Sequence, residues 1–255
     1  MNFVSDLIYE MSRYDLHISA INLEPGRYYR FKSAGTCQKT CCEYRIFENQ
    51  LGAHFKCWRR GIDRYWFASQ ESRLSDHDHA RMMVERERIN REQIEAKQRV
   101  ASKCERFYRN IQKYAYRNSA LKHPYVLRKK IIPLSARVTR SLIVLAVRDV
   151  RYQIQSLQFI KPNGFKQFKS GGAIKGGMIW LSPPLDNDYS GVIRLCEGWA
   201  TGCTIAEITQ QPVVCTLNAS NMANVAKLLV NNFPKATLLI CADNDCWGAN
   251  NAGAI

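Results

Sequence analysis

Apolar residues fall into different patterns along this chain. From about residue 122 they gather in short, nearly unbroken runs at 140–149, 153–160, 192–196, 213–217 and 237–241, the pattern of buried strands. Pro162, Asn163 and Gly164 supply turn chemistry between 153–160 and 165–169, which predicts an antiparallel sheet. Helical spacing at 200–208 and 222–233 separates the last three runs, and Ser220 and Asn221 stand where an N-cap belongs. The result is a βαβαβ unit whose strands, apolar on both faces, predict a parallel sheet. Right-handed crossovers would bring the carboxyl ends of all three strands to one edge.

The earlier sequence reads differently. Between about 75 and 116 it is dense in Arg, Glu, Gln and Lys, with apolar residues such as Ile89, Ile94, Val100, Phe107 and Ile111 too sparse for a buried face, so a long solvated helix joining two folded parts is expected. His77 and His79 at its start are expected to be exposed rather than ligands. Residues 1 to about 70 interleave aromatics (Tyr28, Tyr29, Phe31, Phe55, Trp58, Tyr65, Trp66) with Arg and Lys, predicting a short helix and small antiparallel strands. Most of these aromatics are expected to pack a small core, although aromatics among cations also suit stacked bases and phosphates. The fold class is therefore α/β, α+β overall. An aromatic and basic module (1–72), a charged helical linker (73–121) and a basic antiparallel subdomain (122–186) precede a parallel βαβαβ domain (187–255).

Charge narrows the partners. In 255 residues, 37 Lys and Arg against 22 Asp and Glu give a formal net charge of +15, a field that attracts polyanions, nucleic acid first. No apolar run is long enough to span a bilayer and no signal peptide or lipidation motif is present, so a cytoplasmic protein without a membrane partner is expected. Of ten cysteines, Cys196, Cys203, Cys215 and Cys241 lie in apolar runs and read as reduced core thiols. Cys37, Cys41, Cys42 and Cys57 lack paired C-x-x-C knuckles, and adjacent Cys41 and Cys42 should point in different directions, so structural zinc is not expected there.

Candidate chemistry gathers at the predicted sheet edge. Glu197-Gly198 follows the first strand of the βαβαβ unit, and Asp243-Asn244-Asp245 follows the third. Asp243 and Asp245 share one side of an extended segment. Carboxylates converging on one edge repel unless a hard divalent cation joins them, and Gly198 clears space for a metal or phosphate. Upstream, the glycine-rich 170–177 carries Lys175, a weak phosphate-loop signal that a plain glycine turn between strands explains equally well.

These strings have a familiar order. His123-Pro124-Tyr125, Arg148-Asp149, Asn163-Gly164, Lys169-Ser170-Gly171-Gly172 through Lys175-Gly176-Gly177, Glu197-Gly198-Trp199-Ala200-Thr201-Gly202 and Ala242-Asp243-Asn244-Asp245 resemble the Toprim DNA primases of plasmids, phages and mobile elements. The likeness is strongest from about Lys122. Tyr29-Arg30-Phe31 and 55–62 are similar to the module that precedes these cores.

The resemblance implies synthesis of short RNA primers from ribonucleoside triphosphates on single-stranded DNA, with a replicative helicase as a possible partner. Glu197, Asp243 and Asp245 would hold Mg²⁺ or Mn²⁺, and Glu197 could instead act as a general base. Arg148, Lys166, Lys169 and Lys175 would line the groove for template and nucleotide. Two departures are visible. Asn218 stands where relatives often carry Asp, and the chain stops at Ile255, where relatives continue with another helix and strand. A shortened, catalytically silent single-strand-binding remnant or accessory protein is the alternative, with apolar residues such as Leu239 left uncovered.

Overall fold

The computed structural model describes residues 3–33, 40–68, 76–112, 120–184 and 186–242. They divide into two compact units, Met1–Glu92 and Gln93–Ile255. The boundary falls inside the long helix α2, Asp76–Gln112.

In the first unit, helix α1 (Phe3–Ser12) precedes strands β1 (Tyr29–Phe31), β2 (Cys42–Ile46), β3 (Gly52–Cys57) and β4 (Ile62–Phe67). These pair antiparallel in chain order. Side chains alternate between the two faces. Phe31, Tyr44, Ile46 and Phe55 bury one face against Leu7, Met11 and Leu16. On the other face the register partners Glu43 and Lys56 form an ion pair at 2.6 Å, and buried Arg45 reaches Glu92 of α2 at 2.8 Å. The strands of β3 and β4 meet at Gly52, where a Cβ would stand 2.3 Å from the Trp66 carbonyl oxygen, so no larger residue fits without moving backbone.

The second unit begins with the latter half of α2. Contrary to the expectation of a wholly solvated helix, Cys104, Tyr108 and Ile111 are buried against the next sheet. That sheet comprises β5 (Ala136–Thr139), β6 (Leu142–Arg148), β7 (Ile154–Ile160) and β8 (Lys166–Phe168), antiparallel in chain order. Helix α3 (Pro124–Lys129) comes before it, its Tyr125 amide donating to His123 Nδ1 at 3.2 Å.

A third sheet is built from β9 (Ile179–Trp180), β10 (Val192–Cys196), β11 (Val213–Cys215) and β12 (Thr237–Cys241), with helices α4 (Trp199–Thr209) and α5 (Ala219–Asn232) between its last three strands. Its order is β12-β10-β11-β9. The three strands of the βαβαβ unit are parallel, and β9 adds antiparallel to β11, so the sheet is mixed rather than purely parallel. Burial on both faces holds for β11 but not for β12, an edge strand paired with β10 whose Leu239 and Ile240 remain 46% and 55% exposed.

One core serves both sheets of this unit. Ile143, Leu145 and Val147 of β6 cluster with Ile179, Cys196, Trp199, Cys203 and Val213. Among the described residues no helix is long and apolar enough to cross a membrane.

Candidate active site

The carboxyl edge of the parallel strands is fixed by backbone bonds that outrun the strands themselves. Thr216 N–H donates to Cys196 O at 2.8 Å, and Leu217 N–H donates to Glu197 O at 3.0 Å. Glu197 is thereby held just past β10, half-buried. Gly198 caps α4 in an extended conformation with no side-chain cap bond, so the first amides of an 11-residue helix lack a side-chain lid. Such amides carry partial positive charge. Lys166, exposed on β8, brings its Nζ to 3.9 Å from where a Gly198 Cβ would stand, with Thr201 Oγ1 at 3.8 Å. An ammonium and a helix start without a side-chain cap therefore share one small region, directly after Glu197 in the chain.

Beneath it the chain is anchored. Trp199 is buried, its Nε1–H donates to Leu134 O at 2.9 Å, and its ring stacks on Tyr125 at 6.2 Å between centroids. One turn on, Gly202 lies so near the sheet that a Cβ would meet Cys215 Sγ at 2.5 Å. The thiols below serve packing. Contact with Cys196, then burial, holds the Cys215 thiol well above its ordinary value, and burial pushes Cys203 up to about 12, so both stay neutral.

The glycine-rich loop reaches the same edge from the antiparallel sheet. Gly172 is required by packing, since a Cβ there would lie 2.1 Å from Ser156 Oγ. Asn221, buried in the first turn of α5, ties the loop down. Its Oδ1 accepts the Gly176 amide at 2.8 Å, and its Nδ2 donates to Gly177 O at 2.8 Å and Thr216 O at 2.9 Å. Exposed Lys175 is held next to that junction. The cap of α5 is Asn218, whose Oδ1 accepts the Asn221 amide at 2.9 Å. An Asn218 carbonyl oxygen performs this capping as well as an Asp carboxylate would. Replacing Asn221 with Ala strands three backbone groups and is expected to destabilise the chain by about 3 kcal/mol, read from the urea midpoint. An unchanged midpoint would refute this role.

The expected site residues separate into groups. Lys166 reaches Gly198, the residue after Glu197, Lys169 precedes the glycine-rich loop, and Lys175 lies near its end. Arg148 is otherwise engaged. Its Nη1 donates to Tyr152 O at 2.5 Å, its guanidinium lies 5.8 Å from the Tyr108 ring centroid, and its backbone bridges to Met178. Asp243 and Asp245 lie outside the described residues, as do Cys37 and the side chains of His77 and His79. Sequence reasoning missed the roles of Trp199, Leu217 and Asn221. An isolated polar residue, Asn221, opposite a glycine-rich segment was a usable signal, and it read as a cap instead.

No protein-family model matches the chain. The primase fragment of the bacteriophage T7 primase-helicase protein is similar over 51% of this chain and 52% of that one, at 14% identity and a TM-score of 0.34. This chain thus spans about half the length of that fragment. The Aquifex aeolicus primase structure, containing zinc-binding and RNA polymerase domains, is similar over 94% of this chain and 72% of that one, at 12% identity and a TM-score of 0.35. Both scores are low.

Proposed function

We propose that this chain synthesises short RNA primers on single-stranded DNA by metal-dependent nucleotidyl transfer. The observation that carries the reading is the approach of Lys166 to the start of α4, which has no side-chain cap and directly follows Glu197 at the carboxyl edge of a parallel strand pair. Its specific chemistry comes from the ordered primase-like strings around it.

The residues present fit a hard divalent ion. Glu197 offers carboxylate oxygens, and next to it a Cβ at Gly198 would meet, beyond its chain neighbours, only Thr201 Oγ1 at 3.8 Å and Lys166 Nζ at 3.9 Å. Strand β12, which leads toward Asp243, ends level with β10, Cys241 opposite Cys196. Glu197, Asp243 and Asp245 would hold Mg²⁺ or Mn²⁺, which supplies charge neutralisation and orientation to a triphosphate. Lys166 and the first amides of α4 would bind phosphate oxygens. Lys169, Lys175 and Arg148 would add positive charge along the approach of template and nucleotide, and a replicative helicase would be the partner that follows.

A second reading is favoured by one surface. In the first unit Trp58 is 48% exposed, with Arg30 and Lys56 at 5.1 Å and 5.5 Å from its ring centroid, an arrangement suited to a stacked base beside a phosphate. The chain would then bind single strands without polymerising. Incubation with ribonucleoside triphosphates, single-stranded DNA and Mg²⁺ or Mn²⁺ separates the two. Primers that vanish with a chelator are expected. Salt-sensitive DNA binding without any primer would favour the second reading.

A further inference from the structure

Lys175 and Glu197 belong to different elements of the second unit, yet a short run of hydrogen bonds passes from one neighbourhood to the other. It goes through the side chain of Asn221, which is 4% exposed. Asn221 Oδ1 accepts the amide of Gly176, the residue after Lys175, and Nδ2 donates both to Gly177 O and to Thr216 O. Thr216 then donates its amide and its hydroxyl to Cys196 O, at 2.8 Å and 3.2 Å, and the next amide, Leu217, donates to Glu197 O.

The demand on residue 221 is specific. Two donors and one acceptor must be presented together from one short side chain, which Asn alone supplies at this length; Asp lacks the donors and Ser has one hydroxyl. The loop leans on this joint. Gly176 sits at φ 73°, where a Cβ would meet Leu228 Cδ1 of α5 at 2.9 Å, the Gly177 amide closes a turn on Ile174 O at 2.8 Å, and strand-like pairing resumes at Met178 with Arg148. Cys41, Cys42 and Cys57 in the first unit also converge, within 4.8 Å and against the expectation that the adjacent pair diverges, but they join only neighbouring strands. Asn221 joins a loop of one sheet to the edge of another.

We propose that Asn221 is a positioning residue for nucleoside triphosphate binding, which fixes the backbone on either side of the loop so that exposed Lys175 is presented to the phosphates at the Glu197 edge. A lysine on a wandering loop must first be ordered, and that cost is taken from binding. Lys175 would meet phosphate charge in the bound substrate and in the transition state alike, so its placement should act on KM rather than on kcat. This role rests on the reading of the edge as a nucleotide site, although the bonds themselves do not.

Two measurements on the full chain test it. Hydrogen exchange reads the joint without reference to catalysis: peptides covering 173–177 are expected to be protected in wild type and to exchange about tenfold faster in Asn221→Ala and Asn221→Ser, each verified as folded by circular dichroism. Ser is paired with Ala because its hydroxyl keeps one polar group at the joint and spares part of the folding cost. Initial rates of primer synthesis give the second measurement. Lys175→Ala is expected to raise KM for ribonucleoside triphosphates about tenfold, the scale of one hydrogen bond to a charged group, with kcat held within about threefold. Each Asn221 variant should do the same, and adding Lys175→Ala to it should raise KM no further, because both changes remove one contribution. A wild type that is protected at 173–177 but makes no primers defeats the reading of the edge. Unprotected 173–177 peptides in wild type overturn the role of Asn221. So do, in an active chain, an unchanged KM in the Asn221 variants, a loss carried by kcat, or KM effects that multiply in the double variants.

Discussion

Glu197→Gln is expected to lower the rate of primer synthesis by about 10²–10³-fold, the scale of losing one preorganised electrostatic group at a reacting centre, while leaving single-stranded DNA binding intact. Glutamine keeps the length and most of the packing of glutamate. What it removes is the negative charge and the hard anionic oxygen at the end of β10. The position itself should survive, because the backbone bond from Leu217 to the Glu197 carbonyl does not involve the side chain. Parallel measurements of primer yield and DNA affinity check this. A variant as active as wild type would remove Glu197 from the reaction, and a joint loss of activity and fold would make its role structural.

Trp199→Ala is expected to destabilise the chain by about 3–5 kcal/mol, as for other large buried aromatics. The indole sits in the core shared by the antiparallel and mixed sheets, so its removal leaves a cavity there and strands the Leu134 carbonyl. Trp199→Phe keeps most of the apolar volume and loses the donor, with an expected cost of about 1 kcal/mol from the hydrogen bond. Urea midpoints of the two variants provide the comparison; equal midpoints would show that the cavity is not the governing cost. Since Trp199 follows Glu197 and Gly198 directly, the Ala variant should also lose activity more steeply than stability alone predicts.

The parts of the fold most legible in sequence were its short, nearly unbroken apolar runs. Runs such as 192–196 and 213–217 read as parallel strands because both faces meet apolar neighbours, and the Asn163-Gly164 turn announced the hairpin before β8. Harder to see was the buried stripe of α2. Val100, Cys104, Tyr108 and Ile111 recur at helical spacing, but Lys, Arg and Glu between them dilute the pattern, and Cys and Tyr contribute little on a hydropathy count. Strand β9, two residues long, has too little sequence for periodicity to act on. At the edge, acidic and basic residue types could be picked out, but not what each one touches. Arg148 is turned to the Tyr152 carbonyl and Tyr108 by a local turn, and Asn221 gains its partners from a loop more than forty positions earlier.

Leu217 gives that edge a further property. Its φ of 76° puts a branched side chain in the left-handed region, which costs roughly 1–2 kcal/mol. The conformation is enforced from both sides, by the bond to Glu197 O and by the Asn218 cap that starts α5. Energy stored there before any ligand arrives is held by these two bonds, so the loop is expected to keep its bend with or without one. Glycine at 217 would release the tension and let the loop wander.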